Sequence, residues 1–188
     1  DFQNEARVDF LCDLKEKKVR EIQKKWAPKA RRLPWPSLVE ASDLIVESAS
    51  GEVALPIAQK ALERNKQVLI LSVGGLLAWN GLSVVLAKTK GRLWIPSGAL
   101  AGVDGLLAAN EGRIRRVTLT TRKPLIGLAG APYLREHKIR LSAIKKPTLI
   151  FEGNALEAIQ AFPRNVNVAA TLSLAGLGPC QTQVRIFV

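Results

Sequence analysis

Four apolar, strand-like runs in this 188-residue chain end on small or polar residues: Cys12-Asp13, Ser48-Ala49-Ser50-Gly51, Ser72-Val73-Gly74-Gly75 and Pro96-Ser97-Gly98. Small residues at the ends of strands let a flat ligand approach the backbone closely. The plain alternative is that loops are small and polar in any protein. Asp13 is the most specific of the set. An aspartate directly after a strand can accept hydrogen bonds from the ribose hydroxyls of a bound dinucleotide, and its charge then repels a 2′-phosphate. It can equally cap the helix that follows. The residues alone leave both readings open. The glycine loop G-x-G-x-x-G that accompanies the first reading does not occur in the sequence.

The elements that would carry these residues alternate regularly. "ARVDFLC" (6–12) reads as a buried strand. The next segment is helical, with Val19, Ile22 and Trp26 on one face and Lys/Arg opposite, and the three prolines of "PKARRLPWPS" (28–37) end it, Ser37 capping a short helical turn. "DLIVES" (43–48) is a strand, and "SASGE" (48–52) turns into a helix carrying Val53, Ile57, Ala61 and Leu62. "KQVLILS" (66–72) is a strand, residues 76–88 are a helix, and "GRLWIP" (91–96) is a fourth strand. Strands alternating with helices at this spacing predict a parallel, doubly wound sheet covered on both faces. Ligands of such sheets bind beyond the carboxyl ends of the strands.

After Pro96 the rhythm changes. "IRRVTLTTRKP" (114–124) alternates as a half-exposed strand, and "KPTLIFEG" (146–153) and "TQVRIFV" (182–188) are further strands. "NALEAIQAFP" (154–163) is a helix with Asn154 as N-cap, and "NVNVAATLSLAG" (165–176) is another, ending at Gly176 or Gly178. Asp104 reads as a helix-start residue. The expected division is a parallel α/β domain over 1–95 and an α/β domain with a mixed or antiparallel sheet over 96–188.

Bulk properties narrow the function classes. The net charge is +12, concentrated in residues 14–32, where nine Lys/Arg meet two Glu. A solvated helix face explains this, and no nucleic-acid motif accompanies it, so polyanion binding is motivated by charge alone. No apolar run reaches the length of a membrane span, and no signal peptide is visible. Two cysteines, Cys12 and Cys180, and one histidine, His137, provide neither a disulfide framework nor a metal set. The expected setting is reducing and cytoplasmic. The absence of Met and a strand at the last residue predict that the chain is a segment of a longer product.

"IPSGALAGVDGL", "VTLTTRKP", "FEGNALEAIQAFPRNVNVAATLSLAGLG" and "TQVRIF", in this order and spacing, resemble the L-aspartate dehydrogenase family. The resemblance runs through essentially the whole chain and is strongest in 95–124 and 151–187. It implies a Rossmann-like domain whose first βα unit lies before Asp1, a second α/β domain, and a homodimer. It also implies oxidation of aspartate to iminosuccinate, which yields oxaloacetate and ammonia, with NAD as cofactor and NADP possible because Lys15 and Lys17 would tolerate a 2′-phosphate. On this resemblance Asp13 meets the ribose, while Ser48, Ala49, Ser50, Ser72, Val73 and Gly74 line the cofactor's nicotinamide half. Ser97, Gly98, Asn165 and Asn167 border the substrate. A cation in the segment Thr120–Lys123 would attract a dicarboxylate. The family's catalytic histidine would lie beyond Val188, and His137 does not match it. "VGGLLAWNGL" departs from the family's "VGAL" followed by acidic residues. Two other readings remain at this stage: a related dehydrogenase acting on another amino acid such as homoserine, and a non-catalytic oligomerisation or binding module.

Overall fold

The computed structural model describes residues 6–163 and 166–188. The chain forms two compact units, one from the residues up to Ile70 together with Gly81–Trp94, the other from Leu71–Asn80 together with Ile95–Val188.

The first unit contains β1 (Phe10–Leu11), α1 (Glu16–Lys25), β2 (Arg31–Arg32), α2 (Trp35–Ala41), β3 (Leu44–Glu47), α3 (Gly51–Glu63), β4 (Gln67–Ile70), α4 (Leu82–Lys88) and β5 (Arg92–Trp94). Every strand pair in it is parallel: β1 with β2, and β3-β4-β5 as a three-stranded sheet. Each crossover is a helix, as parallel pairing requires. Helix α3 explains the packing. Its buried residues Ala54, Ile57, Ala58, Ala61 and Leu62 recur at helical spacing and form one stripe, while Ile45, Val68 and Ile70 are the buried apolar residues of β3 and β4.

Two sequence expectations change here. The strand expected over 6–12 is confined to Phe10–Leu11, and the basic Arg31–Arg32 forms its partner. The pairing is made by backbone: Arg31 N–H donates to the Asp9 carbonyl at 2.8 Å and Leu33 N–H to that of Leu11 at 3.0 Å. No apolar pattern advertises it. The helix expected over 76–88 is instead a 3-10 turn at Val73–Leu76 and, separately, α4. Gly81 holds φ at 98°, in the left-handed region, which breaks the helix before Leu82.

The second unit contains that 3-10 turn, then α5 (Val103–Asn110), β6 (Val117–Arg122), α6 (Leu125–Leu128), α7 (Pro132–Glu136), β7 (Leu149–Asn154), α8 (Ala155–Ala161), α9 (Asn167–Ala175) and β8 (Thr182–Phe187). Its sheet has the order β6-β8-β7, with β8 parallel to β6 and antiparallel to β7, so it is mixed. Ile150, Phe151, Val184 and Ile186 from the strands and Ala155, Ala158 and Phe162 from α8 and its end build the core, with Leu128 and Leu134 from α6 and α7. Alanines at the helix contacts let α8 and α9 lie close to the sheet.

Asn154 caps α8 as expected, and reciprocally: its Oδ1 accepts Glu157 N–H at 2.9 Å, while Glu157 Oε2 accepts Asn154 N–H at 2.8 Å. Asn154→Ala is expected to lower stability by about 1 kcal/mol, read as a shift in the urea midpoint.

Candidate functional site

In the first unit the strand ends organise two small constellations. Leu11 ends β1, and Asp13 follows it, half-buried. Asp13 Oδ1 accepts Lys15 N–H at 2.7 Å. Helix α1 starts at Glu16 with Lys15 in the cap position, so Asp13 turns the chain ahead of the helix and is not its N-cap. Oδ2 has no hydrogen-bond partner among the described residues. Lys15 is exposed, and Lys17 Nζ lies 4.0 Å from Glu21 Oε1. Glu16 opens α1 with its carboxyl held below the usual range, first by a hydrogen bond from Arg20 and then by the charges of Arg20 and Arg32.

Glu47 and Ile70 are in register at the carboxyl edge of β3 and β4. Ser48, Ala49 and Ser50 form an exposed turn there, leading straight into α3. Beneath the turn the Glu47 side chain is buried, and its Oε1 accepts the N–H of Ala49 at 2.7 Å and of Ser50 at 3.1 Å. Sequence reasoning passed over Glu47. The period-2 pattern of "LIVE" placed it on the same inward face as Ile45, and a charged residue on that face was the available signal.

In the second unit, Ser72 precedes the 3-10 turn and is half-buried, whereas Val73 and Gly74 are buried. Val73 packs with Leu77 and Ala170, with Ile95, Ile159 and Leu174 around them. Gly74 N–H donates to Asn167 Oδ1 at 3.1 Å across 93 residues of sequence. A Cβ on Gly74 would stand 3.0 Å from Val166 Cγ2 and 3.4 Å from Asn167 Oδ1, so the absence of a side chain permits the approach. Thus Ser72, Val73, Gly74 and the start of α9 are one assembly. Ser97 and Gly98 are exposed in the segment before α5, and among the described residues no hydrogen bond joins them to Asn167. Asn165 lies outside the described residues. Asp104 is in the first turn of α5.

The remaining sequence candidates are elsewhere. Thr120 and Arg122 are exposed on β6 and Thr121 is half-buried. His137 ends α7; its ring stacks on Tyr133 with centroids 3.9 Å apart, and Nδ1 lies 3.0 Å from the Tyr133 carbonyl oxygen. Among the described residues no His, Cys, Asp and Glu gather as a metal site, and no helix is long and apolar enough to cross a membrane.

Parallel strands that carry an aspartate and two small-residue turns at their carboxyl ends, in a chain with a second, mixed-sheet unit, define a Rossmann-type nucleotide-binding protein. Residues 2–95 match the profile of the homoserine dehydrogenase NAD-binding domain, and residues 104–188 match that of the aspartate dehydrogenase C-terminal domain. The chain is 43% identical over 187 residues to the L-aspartate dehydrogenase of Methanosarcina barkeri, covering 96% of this chain and 68% of the relative. It is 44% identical over 186 residues to that of Methanosarcina mazei, covering 97% and 69%. The fold is similar to the crystal structure of aspartate dehydrogenase from Thermotoga maritima, with a TM-score of 0.68 at 23% identity over 98% of this chain and 79% of that one. The chain belongs to the L-aspartate dehydrogenase family, whose members are NAD(P)-dependent oxidoreductases.

Proposed function

We propose that the protein oxidises L-aspartate to iminosuccinate, which yields oxaloacetate and ammonia, and that NAD is its preferred cofactor. The observation that carries this reading is continuous relatedness to L-aspartate dehydrogenases through both units, including the segments that hold Gly74 and Asn167. The nicotinamide, when bound, supplies the hydride acceptor. The chain's own residues bind and orient. Asp13, with Oδ1 committed to Lys15, offers Oδ2 to the ribose hydroxyls. The turn at Ser48–Ser50 in the first unit and that at Ser72–Gly74 in the second each offer a small surface that a flat ligand can approach. Asn167, with Oδ1 committed to Gly74, has only its amide N–H groups left to donate, which suits a substrate carboxylate. Ser97, Gly98 and Asn165 complete the substrate side. Holding both carboxylates so that the Cα–H faces the ring is the main rate contribution, because positioning removes the entropy cost of encounter.

Aspartate-dependent formation of NADH by the purified protein tests the reading. Activity with homoserine and none with aspartate would replace it by a reading as a related dehydrogenase acting on another amino acid.

The preference for NAD rests on Asp13. Asp13→Ala is expected to weaken NAD binding about tenfold, the worth of a charge-assisted hydrogen bond, and to leave NADP binding unchanged or improved. Titration with each cofactor checks this, and equal losses for both would contradict it. The reading includes a homodimer, to be tested by light scattering. It also places the protein in the cytoplasm, a setting supported by the two free, exposed cysteines.

A further inference from the structure

We propose that Glu47 is a positioning residue of this site, and that its buried carboxylate fits the Ser48–Ser50 turn to the nicotinamide end of the dinucleotide and favours the oxidised form. The inference rests on the nicotinamide-cofactor reading above and adds a residue and a preference to it.

Glu47 is 2% exposed and is the only buried charged residue among those described. It ends β3 at the sheet's carboxyl edge, directly before α3, a helix of 13 residues. The N-terminus of such a helix ordinarily attracts an anion, through free N–H groups and the helix dipole. Here a carboxylate already stands in the turn just ahead of that terminus. Glu47 Oε1 takes the N–H groups of Ala49 and Ser50, the two residues ahead of Gly51. A phosphate arriving at this turn would find those donors occupied and a buried negative charge behind them. A nicotinamide dinucleotide has an anionic pyrophosphate at its middle and a ring at one end that is cationic when oxidised and neutral when reduced. The ring is therefore the part that suits the turn. The attraction between carboxylate and ring exists only in the oxidised state, so Glu47 raises affinity for NAD+ and leaves that for NADH nearly untouched. Across several ångströms of partly dry protein the effect is on the order of tenfold.

The test is isothermal titration of the purified protein with NAD+ and with NADH, separately, for the wild type, Glu47→Gln and Glu47→Asp. Glutamine keeps an oxygen to accept the two N–H groups and removes the charge; aspartate keeps the charge and shortens the reach. The expected result is a ratio of NAD+ to NADH affinity about tenfold lower in Glu47→Gln, and a ratio near wild type in Glu47→Asp even as both affinities fall. An unchanged ratio in Glu47→Gln, or equal loss of both ligands, overturns the inference while leaving the cofactor reading in place. Binding of neither ligand by the wild type overturns the cofactor reading and this inference together. Circular dichroism reports whether each variant folds. If Glu47→Gln does not, Glu47→Asp decides: a ratio that moves while the charge is kept overturns the inference, and a ratio that stays supports it.

Discussion

Phe162→Ala is expected to destabilise the second unit by about 3–5 kcal/mol. Phe162 is 1% exposed at the end of α8. Its ring meets Phe151 edge-on with centroids 5.6 Å apart and lies tilted to Tyr133 at 5.4 Å, while Tyr133 and Phe151 are themselves edge-to-face at 5.3 Å. Truncation removes apolar burial, opens a cavity and deprives the two remaining rings of a partner. The three rings join β7, α7 and the end of α8, so the void cannot close by a shift of one element. Against a typical total stability of roughly 5–15 kcal/mol, this is a large fraction. Urea unfolding should show a lower midpoint with an unchanged slope. A loss under about 1.5 kcal/mol, the scale of a volume-conserving swap, would mean that the rings do not hold this core together.

The second large effect belongs to Asn167. Asn167→Ala leaves the buried Gly74 N–H without its acceptor, at a cost of about 1–3 kcal/mol, and frees the turn from α9. On the proposed function this turn faces the cofactor, and a misplacement of about 1 Å there costs up to roughly 100-fold in rate, so kcat/KM for aspartate is expected to fall by about 10–100-fold. Asn167→Asp separates the two contributions. Its carboxylate still accepts from Gly74, so most of the stability returns. On the proposed function its charge would face the substrate's carboxylates in place of an N–H donor, so kcat/KM is expected to stay low, mainly through KM. Recovery of activity in Asn167→Asp would mean that Asn167 acts only by holding Gly74.

Much of the fold was legible because local pattern and tertiary need coincide. The stripe of α3, the alternation of β6 and β8, and the cap at Asn154 all follow from helical or strand periodicity and from capping chemistry. Where pairing is made by backbone alone, pattern was silent. Arg31–Arg32 forms a strand because its amides and carbonyls meet those beside Phe10–Leu11, and two exposed arginines carry no sign of that. The short α6 and α7, each opened by a proline, went unread because four or five residues are too few to show a period.

The site divides in the same way. Asp13, Ser48–Ser50 and Ser72–Gly74 were legible as small or polar residues after strands, and Asn167 as a residue near a helix start; their roles toward a ligand belong to the proposed function. By itself, then, the sequence determined the βα alternation of the first half and the change of rhythm after Pro96, while the kind of cofactor entered through the resemblance to a family. Only tertiary structure decided that β8 lies between β6 and β7, that Asn167 Oδ1 closes on Gly74, and that Glu47 Oε1 takes the N–H groups of Ala49 and Ser50. The physical reason is range. Periodicity acts over a few residues, whereas strand order and a hydrogen bond spanning 93 residues are selected by which buried donors and apolar faces the folded chain must satisfy together.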